Sequence, residues 1–481
     1  MPEEFNIVVV GAGPGGHAAA VRAAQRGART AIVEQQGWGG TCTHRGCIPT
    51  KALLSCSKRY AELKKLGRMG VRVADPTFDY AAMKRHQEQI VKISAMGVGK
   101  SLTESGCVMK NGTGRILSPG EVEWTAPDGA SSTLSARNLI VAWGSEPSLP
   151  PGVILSERIL TSDGLLSLPT LPASLLIVGG SVIGVEFATL YAELGVRVTL
   201  IEMLGQILPG EDAEAATLLT QELKKLGVVV HTNVRMESIR ETGAGVQLLA
   251  VPAGRAGEIP PAREASGPGT PDSGSGNAPG ISPSGTLDLS ADYALICTGR
   301  KPRLDEAQLN ALGIRYDRRG VNVDERQMTN VPWIYAIGDV TGGMMLAHRA
   351  MRQGKILADR LCGSGQAVYR EEALPDVVYT HPQVARVGLT EEQARRQGIV
   401  PEVHRADFAA NITARTALLG PGFVKLLFDG EKQTLAGATI VGDQAGELIA
   451  PLGLAISAGL DRRQLEEWII PHPTLSEVLS L

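Results

Sequence analysis

The sequence predicts an α/β protein: two units built as strand, glycine-rich turn, helix and strand, then a smaller α+β region. Three observations predict this. Ile7–Val10 is a short apolar strand, followed by Gly11-Ala12-Gly13-Pro14-Gly15-Gly16, an alanine-rich helix, and a second strand, Thr30–Val33, that ends at Glu34. The same order recurs in Leu175–Val178, Gly179-Gly180-Ser181-Val182-Ile183-Gly184, a helix to Leu194, and Val196–Ile201 ending at Glu202. From about Ala367 the chain mixes strands (Phe423–Phe428, Leu435–Val441) with helices (Gly446–Ala458, Arg462–Glu467) and carries no glycine loop.

Each of the first two segments reads as a β-α-β unit of the Rossmann-like, dinucleotide-binding kind. Glycines allow the tight turn and a close backbone approach, and the helix N-terminus attracts a pyrophosphate. The acid that closes each unit, 23 residues after its first glycine, suits a ribose hydroxyl. A lone glycine loop also serves ordinary strand–helix turns, so the repetition carries the reading. Glu202 favours NAD over NADP in the second unit, because a 2′-phosphate would want Arg there. Ser181 departs from the glycine pattern, and its side chain is expected to crowd the pyrophosphate.

A chain of 481 residues suggests about three domains. The expected division is 1–150, the first part of one dinucleotide-binding domain; 151–297, a second, for NAD; 298–366, the rest of the first; and 367–481, an α+β domain. That the first binds FAD and the last forms an interface is what the resemblance named below implies. A Pro/Gly/Ser-rich stretch at 251–286 reads as a flexible loop inserted between two strands. Tyr293–Cys297 and Trp333–Ile337 read as further apolar strands, the latter running into Gly338-Asp339. Net charge of −3 gives no reason to expect nucleic acid as a partner. Six cysteines are too few for a secreted disulfide scaffold. Met-Pro-Glu-Glu-Phe carries no basic segment leading into an apolar signal region, so a cytoplasmic setting is expected. The most membrane-like stretch, 175–191, contains Glu186 and three glycines and reads as strand, turn and helix.

Cys42 and Cys47 lie in Gly-Gly-Thr-Cys-Thr-His-Arg-Gly-Cys-Ile-Pro-Thr-Lys, 39–51. Residues five apart on a regular helix are separated by about 7.5 Å along its axis, whereas a disulfide wants its Cα atoms about 4.4–6.8 Å apart. A bond therefore needs the helix to loosen, which Gly46 permits. Pro49 suits a helix's first turn. A zinc site lacks a second close pair, and no metal is expected. A plant-type iron–sulfur run would need a third Cys at position 50, which is Thr. A redox pair and two ordinary thiols both remain compatible with the spacing. At the other end, His472-Pro473-Thr474-Leu475-Ser476-Glu477 places an imidazole near a carboxylate, a pairing suited to proton transfer. The same residues form a Thr-x-x-Glu capping box, which alone would account for Glu477.

Taken together, these motifs resemble the flavoprotein disulfide reductases, and among them the dihydrolipoamide dehydrogenases. The likeness runs through nearly the whole chain in the family's order. It implies two dinucleotide-binding domains plus a C-terminal dimerisation domain, working as a homodimer with FAD and NAD. It implies that Gly11, Gly13, Gly16 and Glu34 hold the adenosine half of FAD, with Gly114 near the adenine and Asp339 on the ribityl chain. Thr41 and Lys51 would flank the dithiol, and Met345, Leu346, Ala347 and His348 would meet the flavin's pyrimidine edge. Gly179, Gly184, Glu186, Glu202 and Gly299 match positions in the NAD unit, Glu186 also matching the carboxylate that pairs with the lysine near the flavin. Cys42 would be the interchange thiol and Cys47 the one facing the flavin. His472, oriented by Glu477, would be the acid/base, lent by the partner subunit. The implied reaction is oxidation of protein-bound dihydrolipoamide with NAD. The implied partners are lipoyl-bearing acyltransferase subunits of 2-oxoacid dehydrogenase complexes or a glycine-cleavage carrier protein. A related disulfide or quinone reductase, or a flavoprotein subunit without catalysis, are the competing readings. Trp143, Thr43-His44 and Ile470-Pro471 depart from the family's usual residues. Cysteines 56, 107, 297 and 362 are expected to be buried structural thiols.

Overall fold

A computed structural model of the protein describes residues 3–254, 285–365 and 367–481. The first sheet takes Val108–Asn111, Thr30–Glu34, Glu3–Val10 and Ser131–Val141 side by side, all parallel. Ile334–Ala336 joins it in parallel beside Leu139–Val141, so the chain returns to this sheet after leaving it. A hairpin of Thr113–Ser118 and Glu121–Thr125 extends the sheet in antiparallel fashion. Its central strands read as continuous apolar runs because both faces are covered: Val8, Val9, Ile32, Leu139 and Ile140 are fully buried.

The second sheet is wholly parallel, in the order Val229–His231, Arg197–Ile201, Ser174–Val178, Tyr293–Ile296, Ile159–Leu160. An antiparallel three-stranded sheet of Val234–Thr242, Gly245–Pro252 and Leu287–Ala291 leans on it. Of the stretch 251–286 expected as a flexible insertion, 255–284 lie outside the described residues. Val251 and Pro252 are strand residues, paired with Arg235 and Val234. The third large sheet, Asp376–Val378, Gln383–Gly388, Leu435–Gly442, Phe423–Asp429 and Pro401–Asp407, is antiparallel and packs against helix Ala445–Ala458. Among the described residues no helix is long and apolar enough to cross a membrane.

One helix joins these parts. Val182–Glu193 is mostly apolar, and nine of its twelve residues are buried, Glu186 and Glu193 among them, as expected for a helix with neighbours on most sides. Phe187, Leu190 and Tyr191 share a core with Leu53 and Leu54 of helix Cys47–Leu63 and with Val378, Val384 and Phe423 of the third sheet. Burial of each such side chain is worth about 1.5–3 kcal/mol.

Candidate active site

The two glycine loops are built alike. Gly11 and Gly179 have φ of +107° and +112°, a region that side chains with a β-carbon avoid. A β-carbon at Gly16 or Gly184 would collide with the carbonyl oxygen of Gly11 or Gly179, so helix and strand meet only because these are glycines. The N–H groups of Ala12 and Gly180 donate to Glu34 and Glu202, both at 2.7 Å. The other carboxylate oxygens accept from Gln36 N–H at 2.6 Å and Leu204 N–H at 2.8 Å. A carboxylate offers about four acceptor sites, so each acid is oriented by its loop and keeps lone pairs for ribose hydroxyls. A Gly184→Ala substitution is expected to spare FAD loading and raise KM for the nicotinamide dinucleotide about tenfold or more, the cost of overpacking; flavin content and KM measured together check it.

The dithiol sits where two helices meet. Gly40–Arg45 ends, and Cys47–Leu63 begins, at Gly46, whose φ of −139° and ψ of −106° break the helical path. That break supplies the loosening the cysteine spacing demands. Both cysteines are half-buried free thiols. A hydrogen bond from the Cys42 thiol is the largest influence on Cys47; with the Lys51 ammonium it outweighs burial and brings Cys47 down to about 7. The same hydrogen bond, with burial, pushes Cys42 well up. Cys47 is therefore the thiolate of the pair and Cys42 its donor. In dithiol-reduced protein the ultraviolet thiolate absorbance is expected to rise with pH through a midpoint near 7. That step should vanish in Cys47→Ser and move to higher pH in Lys51→Met.

Lys51 is held in place by two neighbouring elements, helix Val182–Glu193 and the turn that carries Tyr379. Its Nζ lies 2.9 Å from both oxygens of Glu186 and 4.6 Å from the Tyr379 ring centre. Burial opposes the ammonium, but Glu186 outweighs it and holds the Lys51 pKa above its ordinary value. Glu186 also accepts from Tyr379 N–H at 2.9 Å. Opposite, Ser145 Oγ donates to Asp339 at 2.7 Å and accepts from Arg300 Nε at 2.8 Å.

These groups converge on one cavity of about 890 Å³. Gly11, Gly13, Gly16, Glu34, Thr41, Cys42, Cys47, Lys51, Gly114, Asp339, Met345, Leu346, Ala347 and His348 all line it, as do Glu186 and Gly299. Gly179, Gly184 and Glu202 lie instead at the carboxyl edge of the second sheet, outside that lining. Helices Pro14–Gln25 and Ala347–Leu361 both start at the cavity without a side-chain cap. Their first-turn N–H groups are free for an anionic or carbonyl ligand. This glycine-floored space with donors at two helix ends fits FAD. Sequence reasoning missed Ser145, Arg300 and Tyr379. Arg300 follows the recognised Gly299, whereas Tyr379 carries no local signal. Cys107 and Cys297 are buried as expected, but Cys56 and Cys362 are only half-buried, a correction that follows from their places, Cys56 on a helix face turned partly to solvent and Cys362 at the end of helix Ala347–Leu361.

His472 and Glu477 are apart from the cavity, the imidazole exposed and the carboxylate half-buried. His472 Nδ1 lies 2.8 Å from Glu477 Oε1, while Glu477 Oε2 accepts from Thr474 N–H at 2.9 Å. The capping role and the imidazole contact thus coexist, one on each oxygen. His472 first, then Thr474 N–H, holds the Glu477 carboxyl below its ordinary value. Asn411 donates to Thr474 O at 3.0 Å and anchors the segment.

Residues 5–354 match the family model described as pyridine nucleotide-disulphide oxidoreductase. The chain belongs to this family. Residues 374–481 match the dimerisation domain of these pyridine nucleotide-disulphide oxidoreductases. A dihydrolipoyl dehydrogenase of Geobacillus stearothermophilus is 37% identical over 99% of this chain and 94% of its own. One from Chlorobaculum tepidum is 35% identical over 100% and 96%. Among solved structures, LpdA of Mycobacterium tuberculosis superposes with a TM-score of 0.86 at 26% identity, covering 99% of this chain and 98% of that one. The copper(II) complex of RclA, an HOCl-induced flavoprotein disulfide reductase of Escherichia coli, gives 0.82 at 28%, covering 100% and 98%. Pyridine nucleotide-disulphide oxidoreductases use FAD and NAD(H), the two cofactors expected from the paired glycine loops.

Proposed function

We propose that this enzyme oxidises dihydrolipoyl groups on carrier proteins and passes the electrons to NAD. The observation that carries the reading is the placement of Cys42, Cys47 and Lys51 in the cavity floored by the first glycine loop, together with relatives named dihydrolipoyl dehydrogenase.

Bound FAD and NAD supply the two-electron path from the dithiol to the nicotinamide. Gly11, Gly13, Gly16, Glu34, Gly114 and Asp339 would hold FAD, with Thr41, Lys51 and Met345–His348 around its reactive end. Gly179, Gly184, Glu202 and Gly299 would hold NAD. Glu186 serves by pairing with Lys51. A substrate thiolate attacks Cys42 of the Cys42–Cys47 disulfide, forming a mixed disulfide and releasing Cys47 as thiolate. A low-pKa thiolate leaves faster, and the Lys51 ammonium favours that state. The second substrate sulfur then attacks the first, closing the lipoyl disulfide and releasing Cys42. His472 of the partner subunit takes the substrate protons, with Glu477 fixing its ring and stabilising its cation. The open position of the His472 imidazole suits a group that works on another subunit. The domain division given above, a cytoplasmic setting and docking to lipoyl-bearing acyltransferase subunits or a glycine-cleavage carrier protein belong to the same proposal.

The test is NAD reduction by purified, FAD-loaded protein with dihydrolipoamide, with NADP in parallel. Turnover with NAD alone is the expected result. No turnover with dihydrolipoamide, but NADH oxidation by a quinone or another disulfide, would keep the dithiol chemistry and reject the lipoyl substrate.

A further inference from the structure

The apolar helix Val182–Glu193 carries two buried carboxylates, Glu186 and Glu193. Seven residues is nearly two helical turns, so both project from one side. Each grips the same pair of neighbours. Glu186 binds Lys51 and Tyr379 N–H, as described. Glu193 accepts from Ser57 Oγ at 2.6 Å and contacts His381 Nδ1 at 2.7 Å. Lys51 and Ser57 both belong to helix Cys47–Leu63, which begins at the redox cysteine. Tyr379 and His381 both belong to the turn joining strands Asp376–Val378 and Gln383–Gly388 of the third sheet.

We propose that Ser57, Glu193 and His381 are positioning residues: a second clamp that fixes the direction of the redox helix and so the placement of Cys47 and Lys51. The inference rests on the dithiol reading above. Leu53 and Leu54 pack this helix into the shared core, but apolar contacts are non-directional, whereas a second hydrogen-bonded hold about 9 Å farther along the axis than Lys51 fixes its direction. Glu193 is suited to the task because its side chain is only 3% exposed, and a buried carboxylate is costly unless its partners stay in place. Lys58 adds a contact to Asp443 at 2.5 Å, but both groups are partly in solvent, where such pairs hold weakly.

The test compares Glu193→Ala, Glu193→Gln and wild-type FAD-loaded enzyme. Two readouts are taken: kcat and KM for dihydrolipoamide, and the rate of iodoacetamide reaction with the reduced Cys42–Cys47 pair at fixed pH. Glu193→Ala is expected to lower kcat about tenfold or more, with KM changed less than about twofold and slower alkylation. Glu193→Gln keeps an acceptor and a donor at the same place and should restore both values. Wild-type kcat and alkylation rate in Glu193→Ala would overturn the proposal, as would equal losses in kcat and KM in both variants. Should Glu193→Ala fail to fold, Ser57→Ala removes only one hydroxyl and decides in the same direction. If wild-type protein does not turn over dihydrolipoamide, the lipoyl reading fails by itself and the alkylation rates still decide the clamp.

Discussion

Replacing either Cys42 or Cys47 with Ser is expected to abolish dihydrolipoamide–NAD turnover, by a factor on the order of 1,000 or more, while FAD stays bound. The size follows from covalent chemistry. A serine hydroxyl can neither form nor break the disulfide that takes up the substrate's electrons, so no partial function survives at that step. The two variants should differ in what they leave behind. In Cys47→Ser, Cys42 can still donate to the serine hydroxyl, but its partner is no longer a thiolate, and burial with the nearby Asp339 carboxylate keeps it a thiol. In Cys42→Ser, Cys47 exchanges a thiol donor for a hydroxyl donor and retains Lys51, so its thiolate should persist. Flavin content should be unchanged in both, because the glycine loops, Glu34 and Asp339 are untouched. Assays of NAD reduction and flavin content on the same samples check this. Substantial lipoamide turnover in either variant would remove the dithiol from the mechanism.

The parts of this site that could be read from sequence are those made by short stretches of chain. Gly11 and Gly179 announce themselves because a positive φ and a helix pressed on a strand leave no other residue, and Glu34 and Glu202 follow at a fixed distance. Gly46 was legible for the same reason: two cysteines five apart need a break between them. The strands Phe423–Asp429 and Leu435–Gly442 and helix Ala445–Ala458 show local apolar patterns that survive folding almost residue for residue. What stayed hidden depends on meetings between distant segments. Tyr379 reaches Lys51 only because the third sheet packs on helix Val182–Glu193, and Ser145 links Arg300 to Asp339 across the return of the chain to the first sheet. Helix Tyr80–Glu104 gave no signal either. Of its 25 residues only Gln87 and Leu102 are buried, and Ile93 and Met96 are more than half exposed, so it lacks the single apolar stripe that periodicity detects.

Two inactive variants, Cys42→Ser and His472→Gln, are expected to regain activity when their subunits are mixed. Each alone should be nearly dead: the first lacks the interchange sulfur, and the second lacks the proton acceptor, worth about 10²–10⁴-fold. In this chain His472 is 74% exposed and lies outside the lining of the cavity that holds the cysteines. A homodimer that shares its sites reciprocally presents the same surfaces from both subunits. A mixed dimer then has one site with both defects and one with neither, the latter built from the cysteines of the His472→Gln chain and the histidine of the Cys42→Ser chain. Random reassortment makes about half the dimers mixed, so activity should recover to roughly a quarter of wild type. The recovery should require dissociation and reassociation and should not appear on mixing intact dimers at low temperature. If Cys and His acted within one chain, every subunit in the mixture would carry a fatal defect and no activity would return. The experiment therefore separates a borrowed histidine from an internal one, and it does so by gain of function, which a misfolded variant cannot imitate.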